Sequence, residues 1–187
     1  MSIALERPVI LQRLRSQTQP YHEALEQNEF NQALTAGTLT PAATERFLGK
    51  LYGFLLPYEA RLRHHDFGPE WQLELRQRAH FIREDLPAAD QLPLCPAMPP
   101  LDTRAQVLGA LYVLEGSTLG GQVITRQLAK AGISQRRYFS GHAERTGPLW
   151  KSFCQLLAAD ATDEKQAEIV ASAIRTFQLL HAWIEQR

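Results

Sequence analysis

Six histidines and a run of glycines are the residues of this 187-residue chain with the most chemical reach. An imidazole that ligates a metal usually passes its other N–H to a carboxylate, carbonyl or water, which sets its tautomer. A helix places such a pair four residues apart on one face. His22 has Glu26, His80 has Glu84 and His181 has Glu185 at that separation, so the spacing marks three histidines and selects none. The glycines stand in "LYVLEGSTLGGQVI", where Gly116, Gly120 and Gly121 interrupt an apolar helical stretch. Each glycine inside a helix costs about 1 kcal/mol relative to alanine. Two causes justify that cost: a neighbouring helix crossing too closely for a side chain, or a large flat ligand lying on bare backbone. Glu115, Ser117, Thr118 and Gln122 interleave the glycines and suit a helix that holds water or hydrogen-bonds something bound beside it.

The cysteines offer less. Cys95 and Cys154 form no CxxC or CxxCH pattern, so neither a zinc knuckle nor covalent c-type heme attachment is suggested. Cys95 precedes Pro96, as in some thiolate heme ligands, but it stands in a proline-rich loop. A di-iron carboxylate protein uses a Glu-x-x-His repeat, and no histidine here has glutamate three residues before it.

The elements that must position these residues read as helix nearly throughout. Pro8 to Gln27 forms a first helical region. Thr40 caps a second, with Pro41 at its first position and Pro57 expected as a kink. A third spans about Trp71 to Leu86. Five prolines between Pro87 and Pro100 make a loop. Asp102 is expected to cap the glycine-bearing helix, and a short helix follows near Ser134 to Phe139. "TGPLWKSFCQLLAA" starts another. In the last, Thr162 is a cap candidate and Val170, Ile174, Phe177, Leu180 and Ile184 repeat at helical spacing. The expected fold is all-α, residues 1–187 forming one compact multi-helical domain able to hold a cofactor between facing helices. Twenty basic residues balance twenty acidic ones, so charge gives no reason to expect nucleic acid or an anionic membrane. Glu6 and Arg7 break the N-terminal stretch. No signal peptide or membrane span is read, and a reducing cytoplasm is the expected setting.

Taken together, "LRSQTQPYHEALE", "YGFLLPYEARL", "LYVLEGSTLGGQVI" and "TFQLLHAWI" resemble the heme oxygenase family, from about Leu11 to Ile184. The bacterial biliverdin-forming members, including those that supply bacteriophytochromes, are most similar, and "EGSTLGGQ" is the most specific segment. The resemblance implies that His22 is the proximal iron ligand and Glu26 its carboxylate partner. It implies that Gly116, Gly120 and Gly121 form the distal helix packed on the heme face. By position, Arg15, Tyr112 and Lys151 are candidates for the heme propionates, and Phe177 lines the pocket from the last helix.

The implied activity is cleavage of heme at a meso carbon, with dioxygen and an external reductant, to biliverdin, carbon monoxide and ferrous iron. Heme is then both cofactor and substrate. A ferredoxin-like protein or other reductase is the implied electron donor, with Arg61, Arg63, Arg136 and Arg137 as a possible basic docking surface, and a bacteriophytochrome is a possible acceptor of biliverdin. A non-degrading heme carrier or sensor on the same fold is the alternative. A thiamin-degrading enzyme of related helical fold would need an activated cysteine. Two departures stand out. Ser117 occupies the position where mammalian-type relatives carry a distal aspartate, so a hydroxyl and peptide groups must order water there. Pro20, two residues before His22, is expected to kink the helix or begin a new one.

Overall fold

The computed structural model describes residues 8–186, and among these every regular element is helical. The N-terminal break at Glu6 and Arg7 lies outside the described residues. The chain runs α1 Val9–Glu26, α2 Glu29–Ala36, α3 Pro41–Leu62, α4 Ala79–Asp85, α5 Arg104–Gly116, α6 Gly121–Lys130, α7 Arg137–Ser140, α8 Thr146–Asp160 and α9 Asp163–Ile184.

Local chemistry explains most boundaries. Thr40 accepts a hydrogen bond from the Ala43 amide, and Pro41 follows at a position whose N–H would be unpaired anyway. The start of α5 falls one residue later than expected. Thr103, not Asp102, is the cap, because Gln106 stands three residues on and closes a reciprocal capping box. Helix α2 was not expected from the sequence; Asn28 caps it by accepting from the Asn31 amide, and Gly37 ends it with a left-handed φ of 69°. Thr162 precedes α9 but makes no side-chain cap bond.

Two expectations are corrected. Residues 71–86 do not form one helix; they give short 3-10 turns at Pro69–Trp71 and Leu73–Arg76 before α4 begins. The side chains of Arg76 and Arg78 and the left-handed Gln72 (φ 49°) divert the chain there. Nor does a new helix begin at Pro20, which sits within α1. Pro20 and Ser16, whose carbonyl loses its partner, are both exposed, so water satisfies the orphaned group.

Helix α9 is the spine, with α5 and α1 packed along it. A side chain at Gly109 would collide with the Ile169 carbonyl, so the α5 and α9 backbones touch, and Ser172 Oγ donates across the crossing to the Gln106 carbonyl at 2.6 Å. Arg13 on α1 bonds Gln166 on α9 at 3.1 Å, and Trp183 Nε1 donates to the Lys50 carbonyl of α3 at 2.7 Å. The expected stripe of α9 supplies Val170, Phe177 and Leu180 to the core. Each such buried side chain contributes about 1.5–3 kcal/mol. The rod Arg104–Lys130 is long and apolar enough to cross a membrane, but half of its apolar window is buried within the fold, so its packing against α9 accounts for that apolarity.

Candidate heme site

The glycine segment is where the rod changes its winding. Helix α5 ends at Gly116, Ser117–Gly120 takes a 3-10 turn, and α6 resumes at Gly121. All three glycines have ordinary right-handed backbones, with φ of −59°, −75° and −57°. The missing side chain, not conformational freedom, is therefore what matters. Here the three separate. A Cβ at Gly121 would collide with the Phe139 carbonyl of α7, so the missing side chain at Gly121 permits a close crossing. A Cβ at Gly116 would meet only the Trp150 ring, at an ordinary 3.6 Å, and one at Gly120 would meet nothing within 4 Å. Trp150 therefore packs against the Gly116 side, and only the Gly120 side is open.

Gly116 follows Tyr112 by four residues, Leu119 and Gly120 follow Gly116 by three and four, and Val123 follows them by four and three, so the five form one stripe on the rod. Leu119 and Val123 are 49% and 50% exposed, unusual for large apolar residues flanking a glycine gap. Sequence reading missed both; their helical register with Tyr112 and Gly116 was the available signal. Across from them, Arg15, Thr18 and His22 form a matching stripe on α1. The Tyr112 phenol lies beside Thr18, whose own hydroxyl donates to the Leu14 carbonyl at 2.7 Å. That contact lies one turn before His22 on α1 and one turn before Gly116 on α5, about 6 Å along each axis.

His22 is the histidine that keeps its partner. Its Nδ1 is 3.7 Å from Glu26 Oε1, and the two side chains are 54% and 59% exposed. Phe177 of α9 meets the imidazole edge-on at 5.8 Å between centroids. His80 packs instead against Phe81 at 4.0 Å, and burial pushes its pKa down. Arg15 lies close enough to Tyr112 to favour its phenolate, although burial of the phenol dominates and raises its pKa. Lys151 is exposed on α8, one turn before Cys154, and no contact joins it to Arg15 or Tyr112. The Ser117 hydroxyl turns back into the helix, donating to the Leu114 carbonyl at 2.7 Å and accepting from Arg78 Nη2 at 3.3 Å.

Neither thiol is activated: Cys95 is buried with its pKa raised, and burial pushes the Cys154 thiol up to about 11. A thiamin-degrading reading loses its nucleophile. Among the described residues no three His, Cys, Asp or Glu side chains gather to hold a metal ion, so His22 would serve an iron whose remaining ligands come from a macrocycle. The site fits such a group on three counts: open space where a Cβ would stand at Gly120, exposed apolar flanks, and a half-exposed imidazole with Arg15 and Tyr112 toward one end. Of the four arginines considered for donor docking, Arg63 is bonded to Gln77 at 2.9 Å and Arg137 is paired with Glu84 at 3.1 Å.

The heme oxygenase family profile matches residues 88–186, more than half of the chain. A heme oxygenase of Xanthomonas campestris pv. campestris is 32% identical over 117 residues, covering 61% of this chain and 70% of the relative. The fold is that of the heme oxygenase of Leptospira interrogans (TM-score 0.73, 17% identity, 94% of this chain and 98% of that one). It is equally that of heme oxygenase-1 from Synechocystis in complex with heme (TM-score 0.72, 13% identity, 94% and 90% covered). The Neisseria meningitidis heme oxygenase, solved with NO and CO bound, gives a TM-score of 0.71 at 20% identity over 94% and 89% of the two chains. With an all-helical fold shared with solved heme oxygenases, and with a family profile matching its C-terminal half, this chain belongs to the heme oxygenase family.

Proposed function

We infer that the chain is a heme oxygenase, cleaving heme at a meso carbon with dioxygen and an external reductant to give biliverdin, carbon monoxide and ferrous iron. The observation that carries this is the open face at Gly120, on the stripe that Tyr112 begins beside Thr18, itself one turn before His22. When bound, heme supplies both the ring that is cleaved and the iron at which dioxygen is activated.

The chain's own residues bind, orient and protonate. His22 offers a ring nitrogen to the iron, while Glu26 and the Phe177 edge hold the imidazole in place. Backbone at Gly116 and Gly120 would form the distal wall beside a bound ring, the missing side chain at Gly120 leaving room there for dioxygen. Ser117 orders water there as an acceptor, since its proton is given to Leu114. Arg15 and Tyr112 hold the heme carboxylates, with Lys151 as a third group that reaches them only by moving from its solvent-exposed position. We assign residues 1–187 to one heme oxygenase-like domain acting in the cytoplasm. Its donor is a ferredoxin-like or other reductase protein, and a bacteriophytochrome is a fitting acceptor of the biliverdin.

The direct test is to incubate the purified chain with hemin, a reductant and air. Biliverdin absorbance with carbon monoxide release is the expected result. A heme spectrum that persists through the incubation would make the chain a carrier or sensor instead.

A further inference from the structure

Two arginines with no part in heme contact are buried, Arg76 at 5% and Arg78 at 4% exposure. Burying a guanidinium is costly unless its N–H groups are paired, so the partners reveal the purpose. Arg76 braces helices: Nη1 pairs with Glu115 and reaches the Leu149 carbonyl, and Nε donates to the Trp71 carbonyl at 2.6 Å. Arg78 goes to the glycine segment. Its Nη2 donates to the Leu114 carbonyl at 2.6 Å and to Ser117 Oγ at 3.3 Å, and its Nη1 lies 3.4 Å from the Tyr138 hydroxyl. Its backbone amide and that of Ala79 both donate to Glu59 Oε1, at 2.6 and 3.0 Å. The arginine is thereby anchored to α3 while its tip grips α5 three residues before the 3-10 turn.

Four buried polar atoms have no protein partner: Arg76 Nη2, Arg78 Nε, the Tyr58 hydroxyl and His142 Nε2. Tyr58 and His142 both feel the Arg78 charge, with Glu59, Glu115, Tyr138, Arg137 and Arg145 among the surrounding ionisable groups.

We propose that Arg78 is a positioning residue for the distal face. It holds the Leu114 carbonyl and the Ser117 hydroxyl, so it keeps the α-to-3-10 break in place and sets the direction of the hydroxyl. This deepens the heme oxygenase reading and rests on it for its catalytic meaning, but its structural part is testable without heme.

Hydrogen exchange on the ligand-free chain is the first measurement. In Arg78→Lys, which keeps the charge and loses the forked donor, amides of residues 117–121 exchange about tenfold faster while those of α9 keep their rates. Acceleration spread evenly over the molecule, or none at 117–121, overturns the proposal. Should that variant not fold, Tyr138→Phe removes only the phenol oxygen beside Nη1 and accelerates the same amides about threefold. The second measurement is a pH titration of the ferric hemin complex by absorbance. Arg78→Lys and Ser117→Ala both shift its midpoint; an unmoved midpoint in Arg78→Lys with hemin bound also overturns the proposal. A chain that binds no hemin yet shows the local exchange effect would instead sink the heme reading and leave the positioning role standing.

Discussion

Glu26 touches His22 through a 3.7 Å contact that both side chains hold in water. Its value lies in aiming the imidazole, since an exposed ion pair adds under about 1 kcal/mol to stability. Glu26→Gln is therefore expected to leave the melting temperature unchanged while weakening hemin binding about tenfold, the scale for a partner of a ligating histidine; an absorbance titration checks this. Cys154 behaves oppositely. Burial holds its thiol up to about 11, so at pH 8 it alkylates at least tenfold more slowly in the native chain than in denaturant. A rate equal to that of the unfolded thiol would show the α5–α8 interface open. His22 and Glu26 were legible in the sequence only as one of three equivalent pairs; the neighbouring segments singled them out. Leu119 and Val123 escaped notice because an exposed apolar residue acquires meaning only beside a gap. Arg76 and Arg78 escaped because their partners, Glu115 and Leu114, lie far along the chain.

At the scale of the element, the glycine rod makes opposite demands on adjacent residues. Gly120 has open space and a right-handed backbone, so Gly120→Ala raises the stability of the ligand-free chain by up to about 1 kcal/mol. The same methyl enters the face assigned to heme, and hemin binding falls. Gly121→Ala drives a methyl into the Phe139 carbonyl and destabilises by about 1–3 kcal/mol. Thermal melts of the two variants beside hemin titrations check both signs; a Gly120→Ala variant that binds hemin as tightly as the wild type contradicts the site. Helix starts with local causes, such as Thr40 with Pro41, were readable in advance. The α5 start was misplaced by one residue because Asp102 and Thr103 are both good caps and only Gln106 decides between them. The break-up of residues 71–86 was not readable, because the buried side chains of Arg76 and Arg78 impose it through partners outside the segment.

The whole molecule is organised so that α9 carries the core and leaves α1 and the glycine rod free to face each other. Its response to acid follows from two histidines. Burial holds both His80 and His142 below the ordinary value of 6.5. Between the folded and unfolded values the unfolded chain binds more protons, so the associated stability is full above pH 6.5 and is lost as pH falls. The melting temperature is expected to drop between about pH 7 and pH 5, and less so in a His80→Gln/His142→Gln variant; a wild-type profile flat over that range would contradict the assignment. All-helical architecture was legible throughout the sequence, since periodicity and the absence of strand patterns report it directly. The meeting of α1 with the glycine rod was not, because it rests on Tyr112 beside Thr18 and on Phe177 against His22, contacts made across three helices. Resonance Raman spectroscopy of the reduced hemin complex tests that meeting most directly. The wild type should show an iron–imidazole stretch that disappears in His22→Ala and returns when imidazole is added. An iron–imidazole stretch that survives His22→Ala would place the ligand elsewhere and contradict the site.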